Sequence, residues 1–252
     1  MDASERSENK TLFHSLYKDV WRKMIPAGLT EAEADFIEEI AKLHASSKVL
    51  DIMCGYGRHS IELAGRGHEV TAIDYLADYI QEIETVANNQ NLKVNARVED
   101  VSQSSGFGGP FDAAVCMGNC ISYLDAEKCL QVLKKIAASL KPGAVFIIDT
   151  WMIAEIAVRH FDARTWLQVD EYKYLLDNRF LFQPTRIETD HIVIANSGEV
   201  QVLRDTDYVF SFSEFQAMLN EAGFLMTEIY ATPRKKKYSF GDKKAYIVAE
   251  KK

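Results

Sequence analysis

The chain has 252 residues, a net charge of −8, 47% hydrophobic and 26% charged residues, enough for one large domain or a domain with an insertion. That acidic balance argues against nucleic acid as a partner, because phosphate-backbone binding needs a basic face. No apolar run reaches the roughly 18–20 residues of a membrane span. The start Met1-Asp2-Ala3-Ser4-Glu5-Arg6 lacks an apolar signal region, and four cysteines without metal-ligand spacing read as reduced thiols in a cytoplasmic protein with no metal.

In chain order, Thr11 to Met24 carries apolar residues at helical spacing, and Pro26-Ala27-Gly28 breaks it. Thr30-Glu31-Ala32-Glu33 reads as a capping box opening a second helix to about His44. Strands and helices then alternate: strand Lys48–Met53, helix Arg58–Gly65, strand Glu69–Asp74, helix Ala77–Asn89, strand Leu92–Val98. A Ser- and Gly-rich loop follows, then strand Phe111–Met117, a helix capped by Asp125 to about Leu140, and strand Ala144–Thr150. Alternation of this kind predicts an α/β fold, a parallel sheet with helices on both faces.

After Trp151 a short helix over 151–161 is expected, then extended aromatic segments from Thr165 to Phe210. Breaks at Asp177-Asn178, Gln183-Pro184 and Asn196-Ser197-Gly198-Glu199 read as turns of an antiparallel layer. A second capping box at Ser213-Glu214-Phe215-Gln216 opens a helix ending at Gly223, and strands Phe224–Thr232 and Lys244–Glu250 finish the chain. Arg234-Lys235-Lys236-Lys237 between them reads as a solvated turn, too small for many phosphate contacts.

The most informative segment is Val49-Leu50-Asp51-Ile52-Met53-Cys54-Gly55-Tyr56-Gly57-Arg58-His59-Ser60. It is a buried strand, a tight loop of bare backbone, and a helix whose N-terminus faces whatever the loop holds. The next strand ends in Asp74, where a carboxylate can accept two ribose hydroxyls. A nucleoside-containing cofactor is therefore expected. A dinucleotide fits poorly, because Ser60 replaces the third glycine of its fingerprint and Asp51 would repel a pyrophosphate.

These residues resemble the acid and Gly-rich first motif of class I S-adenosylmethionine-dependent methyltransferases, with Met53 standing at the motif's first glycine. The run Phe111 to Leu124, containing Met117-Gly118-Asn119, is similar to that of small-molecule enzymes of the glycine N-methyltransferase type. The resemblance implies a Rossmann-like, doubly wound seven-stranded sheet with an antiparallel final hairpin and a small antiparallel β insertion after the fifth strand. Residues 1–45 would be a helical cap and 46–252 the methyltransferase domain, with 160–212 as the inserted substrate layer.

It also implies a cofactor site for S-adenosylmethionine. Asp51 would meet the methionine ammonium, the backbone of Cys54, Gly55 and Gly57 would lie along it, and Asp74 would take the ribose. Asp100, preferred over Glu99, would reach the adenine amine, with Tyr75 and Val101 beside it. Met117 and Asn119 would lie beneath the cofactor, and Tyr17 near its sulfonium. No catalytic residue is singled out; Tyr17, Tyr123 and His59 are candidates, with a surface role expected for His59. Trp21, Tyr123, Arg186 and Arg204 are candidate acceptor contacts, an arginine being able to hold a carboxylate bidentately.

The expected function is methyl transfer to nitrogen or oxygen of a small-molecule acceptor by a monomer or homodimer. RNA or protein methylation is the alternative enzyme reading, and a non-catalytic S-adenosylmethionine-binding module the alternative of another class.

Overall fold

The computed structural model describes residues 16–252. They divide into two compact units, one of residues up to Leu29 with His160–Val209, the other of Thr30–Arg159 with Phe210–Lys252.

The larger unit is built on a seven-stranded sheet. Its strands are β1 (Lys48–Ile52), β2 (Glu69–Asp74), β3 (Val94–Val98), β4 (Phe111–Cys116), β5 (Leu140–Thr150), β10 (Phe224–Tyr230) and β11 (Ala245–Lys251). The order is β10-β11-β5-β4-β1-β2-β3. Strands β5, β4, β1, β2 and β3 run parallel, while β11 is antiparallel to β5 and β10 to β11. The chain steps outward from β1 through β2 to β3, then returns to lay β4 on the other side of β1. That reversal makes the carboxyl ends of β1 and β4 a topological switch point, where open α/β sheets hold ligands.

Alternating side chains fix both faces. Leu50 and Ile52 of β1 join Ala114, Cys116, Phe146 and Ile148 against helices α5 (Ala126–Ser139) and α7 (Phe212–Glu221). Val49, Val115 and Ile147 face the other way, against Phe36 and Ile37 of α2 (Leu29–Ala41) and Leu63 of α3 (Arg58–Gly65). Helix α4 (Ala77–Gln90) covers β2 through Ile80 and Ile83. Helix α6 (Ala154–Ala157) is one turn, shorter than the helix expected over 151–161.

Two caps differ from expectation. The capping box of α7 is Ser211 with Glu214, two residues earlier than the expected Ser213-Gln216. Helix α2 already starts at Leu29, so Thr30 is not its cap. The Thr30 hydroxyl instead receives a hydrogen bond from Arg58, and Glu33 is buried in an ion cluster.

In the smaller unit, β6 (Arg164–Val169), β7 (Tyr172–Phe182), β8 (Thr185–Ala195) and β9 (Val200–Tyr208) form an antiparallel meander. Helix α1 (Leu16–Met24) buries Tyr17 and Val20 against its Tyr174, Val193 and Leu203. Asp177-Asn178 is no turn but the middle of β7. Asn178 is held there by hydrogen bonds to Asp162 and Thr189, and the turn comes earlier, at Asp170, whose φ is +48°.

Candidate functional site

The site is assembled from the strand ends of the larger unit. After β1 the backbone alternates into the left-handed region at Met53 (φ +56°), Gly55 (+57°) and Gly57 (+79°), which folds the loop tightly before α3. Met53 takes the conformation that glycine adopts without cost and packs its half-buried side chain against the apolar core. A Cβ on Gly55 would meet nothing within 4 Å, whereas one on Gly57 would fall 2.4 Å from Ile83 Cγ1. Gly57 is thus required by packing, and Gly55 borders open space.

Two carboxylates flank this loop. Asp51 is buried and accepts a 2.6 Å hydrogen bond from the Ser60 hydroxyl. Asp74 is also buried; its oxygens accept from the Gly55 amide at 2.9 Å and the Leu76 amide at 3.0 Å. Burial pushes the Asp74 carboxyl up to about 6 against those hydrogen bonds, and the nearby charge of Asp51 adds to the rise. Burial raises Asp51 too, in spite of His59 and Ser60. Each oxygen of Asp74 has a lone pair beyond the one it uses.

The other strand ends complete the rim. Asp100, past β3, accepts from the Ser102 amide and hydroxyl through Oδ1 at 2.9 and 2.6 Å. Glu99 lies 3.6 Å from Arg97. Val101 is buried in the core and Tyr75 is half-buried beside Asp74; burial, then the Asp74 charge, raises the Tyr75 phenol. After β4, the Met117 carbonyl receives the Cys120 thiol. The Asn119 amide donates to Ser122 and accepts from Thr150 at 2.8 Å and the Trp151 amide at 3.1 Å. Its side chain therefore ties the β4 turn to the end of β5. Tyr123 closes the short 3-10 turn Cys120–Tyr123 and is half-buried.

His59 is not a surface residue. It is buried, with Nε2 2.9 Å from the Glu33 carboxylate. Glu33 also accepts from Arg58 at 2.6 Å, Tyr246 at 2.7 Å and Lys244 at 3.3 Å. Burial alone would raise the Glu33 carboxyl, but His59, Arg58 and Lys244 together hold it well below the carboxylate range. Sequence reasoning missed this cluster. One signal was a glutamate directly before Ala34, Phe36 and Ile37, the apolar positions of α2.

In the smaller unit, Tyr17 stacks along Trp21 and meets His191 edge-on at 4.9 Å between centroids. Tyr174 lies 2.5 Å from His191 Nδ1, and His191 Nε2 is 3.1 Å from Asp205. Arg204 forks onto Asp190 at 2.6 and 3.1 Å, and Arg186 onto Glu188 at 3.2 and 3.1 Å.

A cleft of about 600 Å³ opens at the amino ends of β1–β4, lined by Lys48, Glu69, Val94, Phe107 and Phe111 among others. It lies at the opposite edge from the glycine loop. Asp51 and Asp74, which have no ion pair among the described residues, are at the carboxyl edge.

Residues 49–143 match a protein family described as a methyltransferase domain. A Bacillus subtilis (strain 168) protein named as a methyltransferase, YqeM, is 25% identical over 88% of this chain and 85% of its own length. The glycine/sarcosine N-methyltransferase of Parasynechococcus marenigrum (strain WH8102) is 29% identical over 53% of this chain and 48% of its own. In fold, the chain is similar to an S-adenosylmethionine-dependent methyltransferase from Clostridium acetobutylicum ATCC 824. That likeness has a TM-score of 0.80 at 18% identity and covers 95% of this chain and 98% of the other.

Proposed function

We propose, from the premise that this chain is a class I S-adenosylmethionine-dependent methyltransferase, that it methylates a nitrogen or oxygen of a small-molecule acceptor. One observation supports the cofactor site above the rest. Asp51 and Asp74, buried and without an ion pair among the described residues, flank the open space at Gly55. Acids whose protons are held too tightly by burial gain from a cationic ligand, and the residues fit an ammonium and a ribose together.

On this reading Asp51 binds the methionine ammonium, and the Cys54, Gly55 and Gly57 backbone lies along that moiety. Asp74 accepts the ribose hydroxyls. Asp100, Tyr75 and Val101 hold the adenine, and the Met117 carbonyl lies below. Asn119 positions the turn. When bound, S-adenosylmethionine supplies a methyl carbon activated by its sulfonium. The protein's share is alignment and a dry site, so a strong acid or base is optional. The smaller unit, with Tyr17, Trp21, Arg186 and Arg204, is assigned to acceptor recognition. The kinship with a glycine/sarcosine enzyme supports a small acceptor. Four free thiols suit a cytoplasmic enzyme.

Asp74→Ala should weaken S-adenosylmethionine binding by about 1–3 kcal/mol, read by calorimetry; unchanged affinity removes the ribose assignment. For the acceptor, the decisive measurement is incubation with methyl-labelled cofactor and fractionated cell metabolites. Label in a small-molecule fraction supports the proposal. Label in RNA or protein selects the other enzyme reading, and cofactor binding without any product selects a binding module.

A further inference from the structure

The ion cluster around Glu33 extends further than one residue's needs. Lys244, just before β11, pairs with Glu33 and also with Asp149 of β5. Asp149 is fully buried, and its second oxygen accepts a hydrogen bond from the Gly118 amide. At the other end, Glu33 grips Arg58 and His59, the first residues of α3 directly after Gly57. One buried chain of charges thus runs from the loop after β1, through Glu33, Lys244 and Asp149, to the loop after β4. Those two loops flank the topological switch point, and Glu33, Lys244 and Asp149 are assigned no contact with the cofactor.

We propose that Glu33, Lys244 and Asp149 are positioning residues that fix the Gly55–Gly57 loop against the Gly118 turn, and so set cofactor affinity from outside the site. The proposal rests on the cofactor reading above. Charge and geometry both single out the network. Glu33 has no exposed surface and collects four donors: Arg58, His59, Tyr246 and Lys244. A buried carboxylate gains from so many partners only while all are held in place. Lys244 is the joint. It is the only cation among the described residues paired with both acids, and it lies over the rings of Tyr246 and Trp151 at 4.8 and 5.7 Å. Its side chain is about a quarter exposed, which makes it the member most replaceable without unfolding the chain.

The test uses the full chain, with S-adenosylmethionine and S-adenosylhomocysteine as probes, binding by calorimetry and unfolding by thermal melt. Lys244→Met is expected to weaken both ligands alike, about three- to thirtyfold, the range for residues coupled to a site through a packed network. Lys244→Arg should recover most of that loss, and Glu33→Gln should reproduce it. Three results would overturn the proposal. Weaker S-adenosylhomocysteine with tighter S-adenosylmethionine would mean that Lys244 acts only by its charge on the sulfonium. A lowered melting temperature with unchanged affinity, measured well below the melt, would mean that it only stabilises the fold. Failure of Lys244→Arg to recover affinity that Lys244→Met has lost would remove the positioning role. If the wild-type chain binds neither probe, the cofactor reading itself has failed, which is a separate outcome.

Discussion

The two units spend their charges differently. On the smaller unit's sheet, Arg204 closes onto Asp190, Arg186 onto Glu188, and Lys23 onto Asp170 and Glu171. In the larger unit, Asp51 and Asp74 are buried at strand ends with hydroxyl and amide donors only. Paired surface charges contribute little to stability. Buried acids held by neutral donors cost the fold something, and that cost is recoverable only when a ligand arrives. The smaller unit's buried Asp205 has His191 beside it, whereas Asp51 and Asp74 have no ion pair among the described residues.

The sharpest way to break that contrast is at the glycines. Gly57→Ala should destabilise the chain by about 3 kcal/mol, because the new methyl meets fully buried Ile83 and φ is +79°. Gly55→Ala should cost only about 1–2 kcal/mol in stability yet weaken S-adenosylmethionine binding, since its methyl enters the open space. Equal losses of melting temperature in the two variants, with no loss of affinity in the second, would reverse the assignment.

Next in size is the effect of pH. The Asp74 carboxyl sits near 6 in the folded chain, above its unfolded value, so the folded state holds the proton more tightly. Its contribution to stability is present below about pH 4 and fades as pH rises through 6. Cofactor affinity should run the other way and rise between pH 5 and 7 as Asp74 ionises. Asp74→Asn should flatten both curves, measured by melts and calorimetry across that range.

In the smaller unit the expected effects are smaller. Tyr174→Phe removes the buried hydrogen bond to His191 and should cost about 1–2 kcal/mol. Arg204→Ala, at an exposed pair, should change stability by under about 1 kcal/mol, checked by urea unfolding. A larger loss there would mean that the sheet's charges are structural after all.

Much of this was readable in the sequence because it is local. Strands β1, β2, β4 and β5 announce themselves as apolar runs and β3 as an alternation of apolar and polar residues, and Asp51, Asp74 and Asp100 stand at or beside their ends. The misreadings share a cause. Asp177-Asn178 looks like a turn, but Asn178 donates to the Asp162 carbonyl and accepts from the Thr189 hydroxyl, which hold it extended inside β7. Thr30-Glu33 looks like a capping box, but Glu33 answers to Lys244 and Tyr246, more than 200 residues away. No local pattern encodes such a partner. His59 was misplaced for the same reason, since its burial depends on Glu33. A signal did exist at Asp149, an acid directly after the apolar run Ala144-Val145-Phe146-Ile147-Ile148 and before the end of β5.

Met53 carries a wider consequence. A glycine-based pattern scores this position as a defect, yet the backbone there turns with the same sign of φ as Gly55 and Gly57. What the loop repeats is a rhythm of torsions, not a rhythm of letters. Replacing Met53 by glycine would relieve about 1–2 kcal/mol of torsional cost while giving up a comparable amount of apolar burial and backbone restraint. The two nearly cancel, so the same curvature of the loop is compatible with either residue at position 53.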